Sequence, residues 1–309
     1  MKAVARAPAK AILLGEHFVV HGGSALAVAL TKWVQATAVR SQKNEIISLN
    51  KGASSPLENA DEFLQPAASC VLSMLENHRF NGVSITIDSE IPPGGGLGSS
   101  AATSVAVVAA VASLFGLETS KSQIYEYAMI GERMVHGRPS GIDVFVSVNG
   151  GLVKVKGKNR EVLNCPPFWL MVSNSGEARN TGDMVKRISE YRENNPESFN
   201  TLLRTVDMIV EDTVMALQKG DVSFLAQGMN FSQEALRMVG ASTEKIDQMV
   251  RRARSLGFKG AKLTGAGGGG CIIATSDGDV QKLFEEFRSE YPQSFLCSVP
   301  GEGVKTWVL

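Results

Sequence analysis

The feature that most constrains this chain is the segment 92–102, which reads PPGGGLGSSAA. It follows a run with strand-like alternation at 83–87 and leads into a run rich in Ala and Val at 99–114. Pro92-Pro93 cannot continue a strand interior or a helix. The segment therefore predicts a strand, a glycine loop and a closely packed helix that begins at about Ser99.

The chemistry of this glycine loop favours a bound phosphate. Glycines permit positive φ and let backbone N–H groups approach a ligand. A helix start adds unpaired N–H donors and the positive end of the helix dipole. The loop lacks the lysine of G-x-x-x-x-G-K-[ST] and does not fit the dinucleotide pattern G-x-G-x-x-G followed by an acidic residue. A plain connecting turn is the alternative.

A second glycine run, TGAGGGG at 264–270, lies between apolar segments at 261–263 and 271–274 that we expect to be strands. The two runs hold nine of the 31 glycines. That is about the excess over the roughly 22 expected from average glycine usage. We expect the second run to form another wall of the same phosphate site, with a flexible hairpin loop as the alternative.

Composition narrows the class of protein. The 309 residues are enough for about two domains. The 31 basic and 31 acidic side chains balance, which argues against nucleic-acid or membrane binding by bulk charge. The four cysteines form no C-x-x-C pair, and we interpret them as reduced thiols. The N-terminus shows no signal-peptide pattern, and the apolar stretch 101–115 is too short to span a bilayer. We expect a cytoplasmic protein.

Strands and helices are mixed in both halves, which predicts an α+β protein of two lobes, 1–165 and 166–309, with a boundary near Cys165-Pro166-Pro167. Besides the helix at 99–114, periodicity predicts helices at 121–136, 183–191, 196–218, 222–238, 243–256 and 280–290. Strands are expected at 2–7 and 11–14, separated at Pro8, and at 33–40, 83–87, 169–172, 295–299 and 304–308.

Two further segments carry specific expectations. Apolar, β-branched residues at 144–148 and 151–155 predict a hairpin across Asn149-Gly150. The basic run KVKGKNR at 154–160 predicts a solvated turn.

Phosphoryl transfer needs a cation, ligands for Mg²⁺ and a group that orients the attacking hydroxyl. Lys10 lies in an otherwise apolar segment, and a surface lysine is the ordinary alternative. Glu132 and His136 are spaced i and i+4, so they share one helix face. Asp143 precedes the predicted strand at 144–148, which would hold its carboxylate in place, unless it merely caps a turn.

Glu16, His17 and His21 could suggest zinc. They do not form H-E-x-x-H, and Gly22-Gly23 would end a helix there, so we disfavour a zinc site.

Three motifs, at 7–17, 92–102 and 262–271, occur in the order found in GHMP kinases, and the chain resembles that family over nearly its whole length. The segments at 7–22, 131–143 and 179–181 are most similar to those of mevalonate kinases, and the short chain resembles the compact archaeal type. The resemblance implies an N-terminal lobe like ribosomal protein S5 domain 2 and a ferredoxin-like C-terminal lobe. It also implies ATP-dependent phosphorylation of the mevalonate 5-hydroxyl between the lobes, and a homodimer.

The resemblance also implies roles for single residues. Asp143 would be the general base, Lys10 would contact the hydroxyl and the γ-phosphate, and Ser100 and Glu132 would ligate Mg²⁺. The residues implied to bind ATP are Pro93, Gly94, Gly95, Gly96, Leu97, Gly98, Ser99, Ser100, Ala101 and Gly267. Those implied to line the mevalonate pocket are Glu16, His17, Ser140, Arg179 and Thr181.

Two alternatives stay open. One is another small-molecule kinase of the family, acting on phosphomevalonate, a sugar or homoserine. The other is a sensor that keeps the fold but not catalysis. The presence of Lys10, Ser100, Glu132 and Asp143 argues against the sensor.

Overall fold

The computed structural model describes residues 1–80, 82–137, 139–177 and 181–309, without the side chain of Thr181. Strands within these residues are β1 Lys2–Leu14, β2 Ser24–Arg40, β3 Glu45–Ser48, β4 Ala53–Pro56, β5 Val83–Ser89, β6 Leu152–Lys156, β7 Asn159–Leu163, β8 Phe168–Asn174, β9 Gly260–Leu263, β10 Cys271–Thr275, β11 Ser294–Val299 and β12 Lys305–Val308. Helices are α1 Gln65–His78, α2 Ser99–Leu114, α3 Lys121–His136, α4 Ile142–Asn149, α5 Thr181–Asn194, α6 Pro196–Gln218, α7 Val222–Met238, α8 Glu244–Leu256 and α9 Val280–Glu290.

The first sheet is built around the long strand β2. Its order is β12-β1-β2-β5-β3-β4, and β6 and β7 continue it from the first part of β2. All described pairs in it are antiparallel except β3 with β5. The last strand, β12, pairs with β1, so the end of the chain completes the sheet that the beginning started.

Strand β1 runs unbroken through Pro8, so the predicted division at this proline is wrong. The pairing with β2 shifts its register between Pro8 and Lys10, as at a β-bulge. A bulge tolerates a proline because the ladder hydrogen bond is already lost there. The Ser147 hydroxyl donates to the Pro8 carbonyl at 2.9 Å. The bulge also changes the direction of the side chains that follow it, including Lys10.

Helix α2 confirms the predicted helix at 99–114. It packs against β1, β2, α1 and α3, and most of its residues are buried, nearly all of them Ala or Val. Small side chains let the sheet and the flanking helices approach from several sides. The glycine loop is thereby held at one end of a mostly buried helix.

Helix α4 occupies the segment predicted to be the first strand of a hairpin, so that prediction is wrong. Gly141, at φ +69°, precedes its first turn, and Ile142, Val144, Val146 and Val148 are buried. The helix packs against α2, α3 and β1. A short apolar run does not distinguish a buried helix from a buried strand, and here the surrounding elements select the helix. Asp143 consequently lies in the first turn of a helix.

The segment 154–160 forms the β6–β7 hairpin, and its turn, at 156–159, is exposed as predicted. Lys154 pairs with Glu211 and Lys156 pairs with Asp207, both on α6. Two of its basic residues therefore join the first sheet to helix α6.

The second sheet has the antiparallel order β11-β8-β10-β9. Helices α7, α8 and α9 pack on it, and the predicted helices and strands of this half are present. The boundary between 1–165 and 166–309 remains a prediction. Among the described residues, none of the helices is long and apolar enough to cross a membrane.

Candidate functional site

The glycine loop turns sharply before helix α2. Gly94, Gly96 and Gly98 have φ of +71°, +76° and +73°, a conformation that favours glycine. Helix α2 begins at Ser99, and Gly98 has no side chain to cap its first N–H groups. Residues 94–101 line a cavity of about 530 Å³. Because uncapped N–H donors and the helix dipole attract anions, this end of the cavity suits a phosphate.

Lys10 and Asp143 form an ion pair against this loop. Lys10 Nζ lies 3.1 Å from Asp143 Oδ1, and the lysine side chain is 4% exposed. The Lys10 N–H donates to the Leu97 carbonyl at 2.9 Å, which ties β1 to the loop. A Cβ placed on Gly98 would lie 3.0 Å from Lys10 Cγ and 3.5 Å from Asp143 Oδ2. The pair thus contacts the loop closely, and both side chains line the cavity.

Glu132, on α3, is a buried carboxylate in the same cavity. Its Oε1 lies 3.5 Å from Nε2 of His136, so the predicted shared helix face is confirmed. Its Oε2 is buried and has no hydrogen-bond partner among the described residues. Burial raises the pKa of Glu132 to about 7, the Asp143 charge adds to the rise, and Lys10 opposes it.

These donors fit Mg²⁺. An orphaned buried carboxylate oxygen favours a nearby cation, and the Ser100 hydroxyl belongs to the lining of the same cavity. Mg²⁺ is commonly held by one or two carboxylates together with substrate phosphates. In the described part of the chain no three His, Cys, Asp or Glu side chains form a complete metal site, so nucleotide phosphates would have to supply the remaining ligands.

A second cavity, of about 610 Å³, opens on the other side of the glycine loop. Phe63, Leu64 and Ile87 contribute apolar surface to it, and Pro93 lies in its wall. The two cavities share four lining residues, which are Pro92, Gly94, Ser99 and Ser100. Mostly apolar clefts of this size are typical of small-molecule sites. The loop can therefore hold a ligand that extends from one cavity into the other.

The wall of the first cavity opposite α3 combines the turn at 15–17 with the second glycine run. Lys262 donates to a Glu16 carboxylate oxygen and to the Leu263 carbonyl, and both charged side chains are buried. Burial raises the pKa of Glu16, which Lys262 opposes, and burial lowers the pKa of Lys262. His17 Nε2 donates to the Ala266 carbonyl at 2.8 Å.

The second glycine run reaches the cavity through Gly265 and Ala266. Gly267 lies outside the cavity: a Cβ on it would lie 2.1 Å from the Ala241 carbonyl oxygen, so it packs against the connection between α7 and α8. It is absent from the lining of both cavities. A role for Gly267 in binding ATP remains a prediction.

Comparisons with known proteins agree with this geometry. The chain matches the models "GHMP kinases N terminal domain" over residues 64–151 and "GHMP kinases C terminal" over residues 214–293. It is 34% identical to a protein named mevalonate kinase from Aeropyrum pernix, over 97% of each chain. It is 33% identical to one from Pyrococcus furiosus, over 99% of this chain and 98% of the relative. The chain belongs to the GHMP kinase family.

The fold of this GHMP kinase also matches solved structures of the family. The crystal structure of L. major mevalonate kinase in complex with R-mevalonate aligns with a TM-score of 0.83 at 23% identity, over 96% of each chain. At that identity the likeness concerns the fold alone. The predicted two-lobe α+β GHMP fold is confirmed.

Most of the predicted site residues of this GHMP kinase lie together. Those that line the first cavity are Lys10, Glu16, His17, Gly94, Gly95, Gly96, Leu97, Gly98, Ser99, Ser100, Ala101, Glu132, Ser140 and Asp143. Arg179 lies outside the described residues. Thr181 begins helix α5, but its side chain also lies outside the description. The catalytic and ligand-binding roles of all these residues remain predictions.

Sequence reasoning missed two residues that hold this site together. Lys262 and Thr264 lie within the third GHMP motif, yet neither stood out beside its glycines. The detectable signal was a lysine inside an apolar strand, where a charge must find a partner. The Thr264 hydroxyl accepts from the Ile12 N–H at 2.9 Å and donates to the Ile12 carbonyl at 3.0 Å.

Proposed function

We propose that this chain transfers the γ-phosphoryl group of ATP to the 5-hydroxyl of (R)-mevalonate, giving 5-phosphomevalonate and ADP in the mevalonate pathway to isoprenoids. The observation that carries the proposal is the Lys10–Asp143 ion pair against an uncapped, glycine-rich helix start. Relatives at 33–34% identity over nearly the full chain are named mevalonate kinase, which supports the choice of substrate.

ATP would occupy both cavities. We assign the triphosphate to the loop at 94–101, whose N–H groups and helix dipole favour negative charge. We assign the nucleoside to the second cavity, where Phe63, Leu64 and Ile87 offer apolar surface to a base. When bound at Glu132 and Ser100, Mg²⁺ would neutralise phosphate charge.

Asp143 and Lys10 would carry the chemistry. In this mechanism the mevalonate oxygen forms a bond to the γ-phosphorus while the bond from that phosphorus to the bridging β–γ oxygen breaks, and Asp143 takes the hydroxyl proton. Lys10 stabilises charge that develops on the transferred group, at little reorganisation cost because it is already buried and fixed by Asp143. Glu16, His17 and Ser140 would contact mevalonate.

The test is ADP release with mevalonate, phosphomevalonate, galactose and homoserine as acceptors. We expect turnover with mevalonate above the ATP-only rate. Asp143→Asn keeps the size of the side chain and removes the base, so kcat should fall by about 100-fold or more while the protein still binds ATP. Turnover with another acceptor but not with mevalonate would refute the substrate assignment.

A sensor would behave differently from a kinase. It would bind ligand equally well with Asp143→Asn and would release no ADP with any acceptor. A homodimer, implied by the family resemblance, remains a separate prediction that sedimentation analysis can test.

A further inference from the structure

We infer that Arg160 is a positioning residue for phosphoryl transfer: its guanidinium holds the turn at Ser140 and helix α4, and thereby sets the position of Asp143. The inference rests on the proposed role of Asp143. Arg160 lies on β7, 17 positions beyond Asp143 in the chain, within the basic segment that we expected to be solvated.

The guanidinium of Arg160 joins two segments beside the cavity. Its Nη1 donates to the Tyr125 hydroxyl on α3 at 2.9 Å, and its Nη2 donates to the Ser140 carbonyl at 2.6 Å. The planar fork of an arginine suits two donations in fixed directions. The Ser140 carbonyl is three residues before Asp143, so this bond acts on the chain just ahead of the proposed base.

The same guanidinium also packs against helix α4 itself. Its central carbon lies 5.3 Å from the centre of the Tyr125 ring and 5.7 Å from that of Phe145. Phe145 is on α4, two residues after Asp143, and its ring meets Tyr125 edge-on at 6.3 Å. Arg160 therefore contacts the polypeptide on both sides of Asp143, through a hydrogen bond before it and a cation–π contact after it.

Helix α4 has no strong cap of its own at its first turn, where Ile142 and Val144 are buried and Asp143 pairs with Lys10. It has eight residues, and its N-cap Gly141 provides no side-chain cap. The Ser140 hydroxyl accepts from the Ile142 N–H only at a long 3.4 Å. Short helices are not stable by themselves and take their geometry from tertiary contacts. The position of Asp143 must come from the groups packed against this turn.

Space around the turn is tight, and Arg160 forms part of its boundary. A Cβ on Gly141 would lie 2.3 Å from the Tyr125 hydroxyl and 3.1 Å from Arg160 Nη2. Among the described residues no carboxylate lies within ion-pair distance of Arg160, whose Nε is buried without a partner. Its charge is therefore not used in a salt bridge, and one of its hydrogen bonds goes to the turn while the other goes to Tyr125 on α3.

The first test measures steady-state kinetics of Arg160→Met, which keeps most of the apolar stem but removes the charge and every hydrogen-bond donor. We expect kcat to fall by about 10- to 100-fold, because small displacements of a reacting group cost that much. KM for ATP should change little, since the glycine loop is not touched. Lys158→Met is the matched control: it removes a positive charge from the same hairpin at an exposed position and should leave kcat unchanged.

The second test separates positioning from general stability. Arg160→Ala leaves a space that free guanidinium can enter, so millimolar guanidinium should restore part of kcat, whereas ammonium should not. Arg160→Lys keeps the charge but lacks the planar guanidinium, so its kcat should remain well below that of the wild type. Thermal unfolding of each variant measures how much of the protein is folded. Activity is then expressed per folded protein, so that poor folding is not mistaken for a lower kcat.

Two results would overturn the inference while the wild type remains active and Asp143→Asn inactive. One is wild-type kcat in both Arg160→Met and Arg160→Lys. The other is a loss of activity that tracks the loss of folded protein and shows no response to guanidinium. A wild-type protein that phosphorylates none of the four acceptors would instead overturn the proposed function, and this inference with it.

Discussion

The Glu132 carboxyl is subject to opposing electrostatic effects. It is buried, its Oε2 has no partner among the described residues, and the carboxylate of Asp143 lies close enough to raise its pKa. Lys10 offsets part of the cost of a charged Glu132, but it is already paired with Asp143. Such a perturbed carboxyl in a cavity is typical of a functional site rather than a structural one.

This carboxyl predicts a pH dependence of stability in the absence of divalent cations. Its pKa rises from 4.5 to about 7 on folding, so between these values the native state holds more protons than the unfolded state. The free energy of unfolding should therefore fall as pH rises through this window, by about 3 kcal/mol in total. Urea unfolding of the wild type and Glu132→Gln across the window measures it.

Other groups titrate in both proteins. The effect of Glu132 is therefore measured by the difference in the free energy of unfolding between the wild type and Glu132→Gln. Glu132→Gln should be the more stable protein above pH 7 by about that amount and should lose the advantage toward pH 4.5. A difference that stays constant across the window would contradict the raised pKa.

Helix α2 has a glycine with positive φ near each end, and the two differ in their surroundings. Gly98, before the helix, has φ +73°, and Gly116, after it, has φ +70°. A Cβ on Gly98 would meet Lys10 and come close to Asp143, whereas a Cβ on Gly116 would meet nothing within 4 Å. Alanine substitution at Gly98 and at Gly116 should therefore cost the same backbone strain, but only at Gly98 does the new methyl group contact other side chains.

We predict that Gly98→Ala and Gly116→Ala both lose about 1–2 kcal/mol of stability, because the left-handed conformation is unfavourable for any residue with a Cβ. Only Gly98→Ala should also lower kcat, by about 10-fold or more, since the methyl group displaces the Lys10–Asp143 pair. Denaturant unfolding and ADP release measure the two effects. Equal kcat in both variants would show that the pair tolerates the methyl group.

At the level of helices and strands, the sequence predicted most long helices but not α1, and it predicted short apolar segments poorly. Helices α2, α3 and α6 follow from composition or 3.6-residue periodicity, which depends on neighbours in the chain. Helix α4 does not, because eight residues give too little periodicity and its buried faces are determined by other elements. The unbroken passage of β1 through Pro8 likewise depended on where β2 could tolerate a bulge.

Across the whole molecule, the N-terminal segment 12–17 is joined to the second glycine run by contacts between residues far apart in the chain. Thr264 satisfies both backbone groups of Ile12, next to a register shift in β1. Lys262 pairs with Glu16, and His17 donates to Ala266. These bonds hold the first strand of the N-terminal lobe against the second glycine run, and they form one wall of the cavity.

We predict that Thr264→Val lowers the free energy of unfolding by roughly 2–4 kcal/mol, because it leaves the buried N–H and carbonyl of Ile12 unpaired. Thr264→Ser keeps the hydroxyl and should lose only about 1 kcal/mol, the value of a buried methyl group. Denaturant unfolding of both variants provides the measurement. Similar losses in the two would mean that packing, rather than these hydrogen bonds, supplies the stability.

By itself the sequence determined the glycine loop between a strand and a buried helix, the α+β class and most of the residues that line the first cavity. These features depend on glycines, prolines and periodic apolar residues that act on adjacent backbone, so they can be deduced locally. Only the tertiary structure decided that Asp143 begins a helix, that Arg160 clamps the turn before it, and that Lys262 supports Glu16 from 246 positions away. Such partners are selected by burial: a charge removed from water must pair with whatever group the fold brings to it, and no local pattern records which group that is.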